Sequence, residues 1–198
     1  MATDIRDRIM KEALREINRR GAAFHMDDLA RTLRISKRTL YEHFPSKQEI
    51  IKEAILSLIS KIYDKHVMLL ANPSLSTEEK IIEFFNFKGA DIAILSVRKT
   101  DEILQKMPEI HDILKEAKRK DWDLLSTLLD QALEEEGFKQ FDKFLLLHML
   151  KCSTNEMIEY FNDVEQDYSF TEYMEKCVRV ILYGIKEDRR QNGNDSET

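Results

Sequence analysis

Glycine, cysteine and long apolar runs are all scarce in this chain of 198 residues, which has 5 Gly and 2 Cys. No glycine-rich stretch occurs, the histidines are scattered, and no paired acid–base, nucleophile–base or metal constellation appears. We therefore expect no enzymatic activity and no cofactor. No apolar run is long enough to span a bilayer, and the first ten residues are charged and lack the apolar region of a secretory signal. These absences predict a cytoplasmic protein that makes no membrane contact.

The two cysteines, Cys152 and Cys177, both fall inside apolar helical patterns. Neither belongs to a CxxC motif or to a cluster of His and Cys with the spacing of zinc ligands, so no metal site is expected. A disulfide is disfavoured in a chain that has the character of an intracellular protein. The favoured interpretation of both cysteines is that they are small, buried hydrophobic side chains.

Charge is distributed unevenly along the chain. Hydrophobic residues make up 42% and charged residues 34% of the sequence, which fits a soluble helical protein, and the formal net charge is −6. Residues 1–60 hold 12 Lys and Arg against 9 Asp and Glu, a net charge of +3, whereas the remainder carries −9. A basic segment within an acidic chain predicts that residues 1–60 contain the nucleic-acid contact.

Apolar residues recur at helical spacing throughout the chain, and no segment has the alternation of a strand. We expect a first helix capped by Thr3 and closed by Gly21, and a long helix that starts at Lys47 and ends near Pro73. Later helices are expected after the Ser76-x-x-Glu79 capping box, from Pro108 to a stop at Gly137, over residues 140–162, and after Ser169-x-x-Glu172. The pattern predicts an all-α fold.

Residues 24–47, FHMDDLARTLRISKRTLYEHFPSK, have the pattern of two short helices joined by a tight turn. Asp27 and Asp28 suit the first turn of a helix, where negative charge is favourable. The turn is expected at residues 34–36, and Ser36 is a good N-cap for a second short helix that Pro45 ends. Such a layout places one helix in the major groove of DNA.

The second short helix separates an inner face from a hydrogen-bonding outer face. Leu40 and Phe44 are four residues apart and should pack inward. The side chains left for the outer face are all hydrogen-bond donors, or become donors when protonated, and they are Lys37, Arg38, Thr39, Tyr41 and His43. The Ser46-x-x-Glu49 capping box starts the long helix, where the backbone N–H groups and the Lys47 ammonium form a phosphate site.

The order of residues over 21–47 resembles the DNA-binding domain of the tetracycline-repressor (TetR) family. The resemblance implies that Ser36, Lys37, Thr39, Tyr41, His43 and Lys47 contact DNA, and Arg38, where the family often has Gly, is expected to add a base contact. Two other positions depart from the family pattern. Arg34 occupies a turn position that is usually Gly, and His25 replaces a Ser or Thr that contacts a phosphate.

The resemblance also implies an architecture and a function. We expect a three-helix helix-turn-helix DNA-binding domain over residues 1–46, a helical effector-binding and dimerisation domain over 47–190, and a disordered polar tail over 191–198. The expected function is a homodimeric, ligand-responsive repressor that binds a pseudo-palindromic operator in double-stranded DNA. The alternative is a DNA-binding regulator without a small-molecule effector, controlled by a protein partner or constitutive.

Two further sets of residues follow from the resemblance. An apolar or aromatic effector would bind in a pocket lined by Phe84, Phe87, Met107, Trp122, His148, Met149 and Met157. Core packing is the simpler interpretation for each of these residues alone. For His148 a satisfied core histidine is favoured. The homodimer would be formed by Leu145, Met149, Cys152, Cys177, Ile181 and Gly184, unless these residues pack only within one chain.

Overall fold

A computed structural model of the chain describes residues 4–86, 107–160 and 170–185. Within these ranges the secondary structure consists of eight α-helices and one 3₁₀ turn, and no strand is present. The elements are α1 (Ile5–Arg20), the 3₁₀ turn (Gly21–Ala23), α2 (Met26–Leu33), α3 (Lys37–His43), α4 (Lys47–Leu70), α5 (Thr77–Phe84), α6 (Pro108–Glu134), α7 (Lys143–Tyr160) and α8 (Phe170–Ile185). The predicted all-α fold is confirmed.

The capping box predicted at Ser76 is confirmed and the cap predicted at Thr3 is not, whereas Ser169 lies outside the described residues. The Ser76 hydroxyl accepts from the backbone N–H of Glu79 at 3.2 Å, and the Glu79 carboxylate accepts from the backbone N–H of Ser76 at 2.8 Å, which completes the predicted capping box. The prediction that Thr3 caps α1 is wrong. Asp4 is the cap, because its carboxylate accepts from the backbone N–H of Arg6 at 3.3 Å and so satisfies a donor in the first turn.

The chain divides into two compact units. The first contains the described residues 4–67 and 107–121, and the second contains 68–86, 122–160 and 170–185. The predicted boundary at residues 46 and 47 stays a prediction. The first 21 residues of α4 are grouped with the helix-turn-helix, since the core of the first unit includes Ile50, Ala54 and Ile55. Residues 191–198, predicted to be a disordered tail, lie outside the described residues.

The core of the first unit holds the short helices in place. Leu29 and Ala30 of α2, Leu40 of α3 and Phe44 after it are 0–3% exposed and share one apolar cluster. The cluster also includes side chains of α1, α4 and the start of α6, and these are Ile9, Ala13, Ile17, Ile50, Ile51, Ala54, Ile55, Ile110 and Leu114. Helices as short as α2 and α3 are unstable alone, so this packing determines their positions.

A separate apolar core lies in the second unit. Phe84 and Phe85 meet edge to face with their ring centroids 5.4 Å apart. The remaining buried residues come mostly from α6, α7 and α8, and they are Ile81, Leu125, Leu128, Leu129, Ala132, Phe138, Leu146, Leu150, Met174, Val178 and Leu182. No helix in the described parts of the chain combines the length and the apolar character needed to cross a membrane.

The prediction that both cysteines are buried is wrong. Cys152 is exposed and Cys177 is only partly buried. The core-facing residues of α7 are Leu146 and Leu150, and Cys152 follows Leu150 by two residues, about 200° around the helix. The apolar pattern of α7 continues around the helix, so it did not identify which side faces the core.

Candidate nucleic-acid interface

The turn between α2 and α3 contains a residue in the left-handed conformation. Arg34 has φ 55° and ψ 42°, and it is the single non-glycine residue with positive φ among those described. The backbone N–H of Ile35 donates to the Ala30 carbonyl at 3.0 Å, which closes the end of α2. A side chain in this conformation costs on the order of 1–2 kcal/mol, so Arg34 reproduces with some strain the turn that glycine would form freely.

The start of α3 is fixed by a local hydrogen-bond network. The Ser36 hydroxyl accepts from the backbone N–H of Thr39 at 2.9 Å and lies 2.8 Å from the Thr39 hydroxyl. Ser36 is therefore the N-cap that the sequence predicts. Leu40 and Phe44 are both fully buried, as their spacing predicts. These interactions determine which side of α3 faces outward.

The outward side of α3 carries cationic and hydroxyl-bearing side chains. The side chains of Lys37 and Arg38 are 63% and 88% exposed, and Tyr41 is 48% exposed. Thr39 and His43 are partly buried, and Ser36 is exposed. The structure thus brings six of the seven predicted DNA contacts to α3 and its N-cap, and the seventh, Lys47, lies at the start of α4.

Acidic side chains pair with the cations of this surface. The Lys37 ammonium donates to the Asp27 carboxylate at 2.6 Å, and the Arg38 guanidinium donates to the Glu42 carboxylate at 2.9 Å. The Asp27 contact joins the first turn of α2 to the first turn of α3. The sequence pattern predicted Asp27 in the first turn of α2 but did not predict this pair. The available signal was a carboxylate and an ammonium in the first turns of two adjacent helices.

A second acid of α2, Asp28, lies between two guanidinium groups. Its carboxylate is 3.3 Å from Arg20 and 3.3 Å from Arg31. The Arg31 side chain is 79% exposed. Arg31 is a further cation beside the candidate interface, and the helical spacing of the apolar residues of α2 did not predict it.

Arg6 of α1 supports the far end of α3. Its guanidinium donates to the His43 carbonyl at 2.6 Å, lies 4.3 Å from the centroid of the Phe44 ring and forms an ion pair with Glu53 of α4. One side chain therefore joins three helices at the point where α3 ends. No local sequence pattern predicts this contact, because Arg6 and His43 are 37 residues apart.

Lys47, the predicted phosphate ligand on α4, is held against the segment before α2. Its ammonium donates to the Phe24 carbonyl at 2.6 Å and lies 4.6 Å from the centroid of the Phe24 ring. The backbone N–H of Glu49 donates to the Ser46 hydroxyl at 3.1 Å, as expected for a helix start at Lys47. The first residue of α4 therefore contacts the segment that leads into α2.

An open concavity of about 500 Å³ lies beside the N-terminus of α2. His25 is the N-cap residue of α2, and no side-chain hydrogen bond caps the helix there. The lining residues come from α2, α3 and the start of α4, and they are Phe24, His25, Met26, Asp27, Asp28, Arg31, Tyr41 and Lys47. The concavity combines a helix N-terminus, hydrogen-bond donors and two carboxylates.

The predicted effector-pocket residues do not all belong to one unit. Phe84 is buried and Trp122 is partly buried in the core of the second unit, whereas Met107 belongs to the core of the first unit. Met149 is exposed. Phe87 and the side chain of Met157 lie outside the described residues.

The interpretation of His148 as a core histidine is wrong. Its imidazole is exposed and stacks on the Phe144 ring, with the centroids 6.4 Å apart and the planes 8° from parallel. A buried histidine is instead found at His66 of α4, which is 0% exposed and has its Nδ1 2.6 Å from a carboxylate oxygen of Asp121 on α6. The apolar sequence around His148 suggested burial, but the helix turns that residue outward.

The predicted dimer residues lie on α7 and α8. Leu145, Met149, Cys152 and Gly184 are exposed, and Cys177 and Ile181 are partly buried. Three large apolar side chains on the same two helices are also exposed, and they are Phe144, Val180 and Tyr183. The sequence analysis did not name these three. Exposed apolar area of this kind is typical of surfaces that bind another protein.

The N-terminal part of the chain matches a known family. Residues 9–54 match the family model described as bacterial regulatory proteins, tetR family. This match covers α2, α3 and the start of α4, which together carry the interface described above.

Similar proteins extend the comparison to most of the chain. The HTH-type transcriptional regulator YvaF of Bacillus subtilis (strain 168) is 24% identical over 181 residues, which is 91% of this chain and 95% of that protein. A transcriptional regulator from Saccharomonospora viridis, solved in complex with choline, has a TM-score of 0.71 at 21% identity and covers 92% of this chain and 98% of its own. The ketosteroid regulator KstR2 of Mycobacterium tuberculosis has a TM-score of 0.69 at 16% identity, with coverages of 95% and 98%.

Proposed function

Because this chain belongs to the TetR family of DNA-binding transcriptional regulators, we propose that it is a ligand-responsive repressor that binds a pseudo-palindromic operator as a homodimer. The observation that supports DNA reading most strongly is α3 itself. It is a seven-residue helix with two buried apolar anchors and an outer face of exposed donors, set behind a helix-turn-helix bend. A helix presented in this way fits the major groove.

Lys37 and Arg38 are the proposed base-reading residues. They lie at the N-terminal end of α3 and are the two most exposed cations of that helix. The N-terminal residues of a recognition helix are those that reach base edges, and Arg pairs bidentately with guanine. Both side chains must leave Asp27 and Glu42 to do so. Exposed ion pairs contribute only about 0–1 kcal/mol, so DNA can replace them at small cost.

The remaining predicted contacts are proposed to hold phosphates. Tyr41 and Lys47 line the concavity at the N-terminus of α2, where the helix dipole favours an anion. Ser36, Thr39 and His43 belong to α3 and its N-cap. Contacts of this kind orient the protein on the duplex without reading its sequence.

A homodimer is the proposed assembly, and α7 and α8 are its proposed interface. The exposed apolar side chains of these helices would be covered by a second copy of the same surface, as in a two-fold symmetric dimer. One α3 reads few base pairs, and a second copy doubles the site. The dimer therefore supports both the burial of apolar area and the length of the operator.

A small apolar or aromatic molecule is the proposed effector, bound in the second unit. Two of the similar proteins are named for small molecules, one being solved with choline and the other being a ketosteroid regulator. Phe84 and Trp122 supply aromatic area in the second unit. The effector would stabilise a dimer whose recognition helices are wrongly spaced for successive major grooves, and so release the operator.

The test is selection of bound duplexes from a random DNA pool by the full chain. We expect a two-fold symmetric consensus whose half-site centres are one helical turn, or a multiple of it, apart, on the order of 34–36 Å per turn. A consensus of one half-site would contradict the dimer. No enrichment at low salt would contradict DNA reading by α3. A subsequent small-molecule screen against the selected duplex tests the effector, and a regulator that no compound releases would favour control by a protein partner.

A further inference from the structure

The exposed side of α7 carries a histidine and a cysteine in direct contact. His148 and Cys152 are one helical turn apart, and the Cys152 sulfur is 3.5 Å from Nε2 of His148. Neither residue faces the core, which receives Leu146 and Leu150 instead. The pair has no part in the DNA interface, which lies in the other compact unit.

The distance between the two atoms equals the distance between a sulfur and a nitrogen that are bound to the same tetrahedral zinc ion. Zinc bonds to thiolate sulfur at about 2.3 Å and to imidazole nitrogen at about 2.0–2.1 Å, so a tetrahedral angle places the two donors about 3.5 Å apart. The imidazole plane is also already oriented, since it stacks on Phe144. The two donor atoms therefore already stand at the separation that one zinc ion requires.

The described residues around the pair supply too few ligands for a closed site. Among the described residues, no group of three or more His, Cys, Asp or Glu side chains is placed to hold a metal. Structural zinc takes four protein ligands. Within the described residues, His148 and Cys152 thus supply two of the four ligands that structural zinc takes.

The surroundings of the pair indicate where those ligands are. Phe144, Leu145 and Met149 are exposed apolar side chains on the same side of α7. With about 100° of rotation per residue, these five residues span about 140° of the helix, and the His–Cys pair lies in the middle. An apolar stripe with a metal-binding pair at its centre fits a two-fold contact with a second copy of itself.

We propose that His148 and Cys152 form half of a zinc site that is completed by His148 and Cys152 of a second copy of this chain. The inference rests on the homodimer of the proposed function and assigns metal chemistry to its centre. Zinc binding replaces the Cys152 thiol proton, which passes to solvent, and no redox step is involved. A site shared between two copies has no ligand-spacing signature within one sequence, which is why none was expected.

The test is titration of the full-length, reduced, metal-free chain with Zn²⁺, together with Co²⁺ as a spectroscopic probe. We expect one ion bound for every two chains, with intense tetrahedral visible bands and a sulfur-to-cobalt charge-transfer band. Binding should weaken as pH falls, because the ligand is the thiolate. One ion per chain, octahedral cobalt spectra, or no binding would each overturn the shared site.

Substitutions distinguish zinc binding at this site from non-specific metal binding elsewhere on the protein. Cys152→Ser and His148→Ala should abolish stoichiometric binding, whereas His111→Ala, which alters an exposed histidine of α6, should leave it unchanged. Cys152→His should retain zinc and lose only the charge-transfer band. Zinc binding that survives Cys152→Ser would overturn the assignment.

The dimer and the DNA interface are measured separately on the metal-free Cys152→Ser chain by light scattering and by duplex binding. A dimer that binds DNA but never zinc would refute only the metal site. A chain that is monomeric with and without zinc would refute the metal site and the proposed dimer together, while duplex binding would still report on α3.

Discussion

Asp27→Asn removes the carboxylate that pairs with Lys37 in the free protein while keeping the shape of the side chain. In the free protein the Lys37 ammonium lies 2.6 Å from the Asp27 carboxylate, and both side chains are more than half exposed. An exposed ion pair of this kind is worth about 0.2–1 kcal/mol. If Lys37 must leave Asp27 to reach a base, removing the pair should tighten the complex by about 1.4- to 5-fold.

The assay is fluorescence anisotropy with the selected duplex at several salt concentrations. Asp28→Asn is the matched control, since it removes one negative charge from the next position of α2, where the partners are Arg20 and Arg31 rather than Lys37. Asp27→Asn should tighten binding more than Asp28→Asn does, and the excess should disappear in a Lys37→Ala background. Weaker binding by Asp27→Asn would show that Asp27 orients Lys37 for DNA, and would refute competition between the acid and the duplex.

Four other substitutions test separate parts of the structure. Lys37→Ala should relax base preference at one position per half-site at a cost of about 1–3 kcal/mol; an equal loss on every duplex in a binding assay would contradict base reading. Lys47→Ala should weaken binding to all duplexes alike, and a sequence-selective loss would oppose the phosphate role. Leu40→Ala should lower the free energy of unfolding by about 2–5 kcal/mol in denaturant titrations, because Leu40 is fully buried; a smaller loss would mean that the site collapses around the change. Hydrogen bonds from the backbone N–H and the hydroxyl of Ser76 lower the pKa of the Glu79 carboxyl. The ionised carboxylate therefore stabilises the fold fully above the ordinary carboxyl pKa, and this stabilisation is lost as pH falls through the lowered pKa. The free energy of unfolding of Glu79→Gln should therefore fall less steeply with falling pH than that of the unchanged chain. Identical acid-unfolding profiles would exclude the Glu79 carboxylate as a source of pH-dependent stability.

Local patterns in the sequence were sufficient to predict α3 and its anchors. Ser36 caps the helix, and Leu40 and Phe44 are buried, because each depends on residues within one or two helical turns. The left-handed turn at Arg34 was also visible as a departure from the family pattern. Capping and periodicity are local properties, and a single sequence contains them in full.

Contacts between distant residues could not be predicted in the same way. The Lys37–Asp27 pair, the Arg6 contacts with the end of α3 and the His66–Asp121 contact each join different helices. The apolar residues of α7 are spread around the helix, so their spacing did not determine which side faces the core. For that reason the sequence analysis placed His148 and the cysteines inside, whereas His148 and Cys152 lie on the surface.

The brevity of α3 has a consequence for its dynamics. Seven residues make fewer than two helical turns, and such a segment has little tendency to stay helical alone. Its order derives from the buried anchors and from the guanidinium of Arg6. Helix α3 therefore does not unfold independently of the helices it packs against. Its amide protons should exchange with solvent only when α1 and α4 open with it.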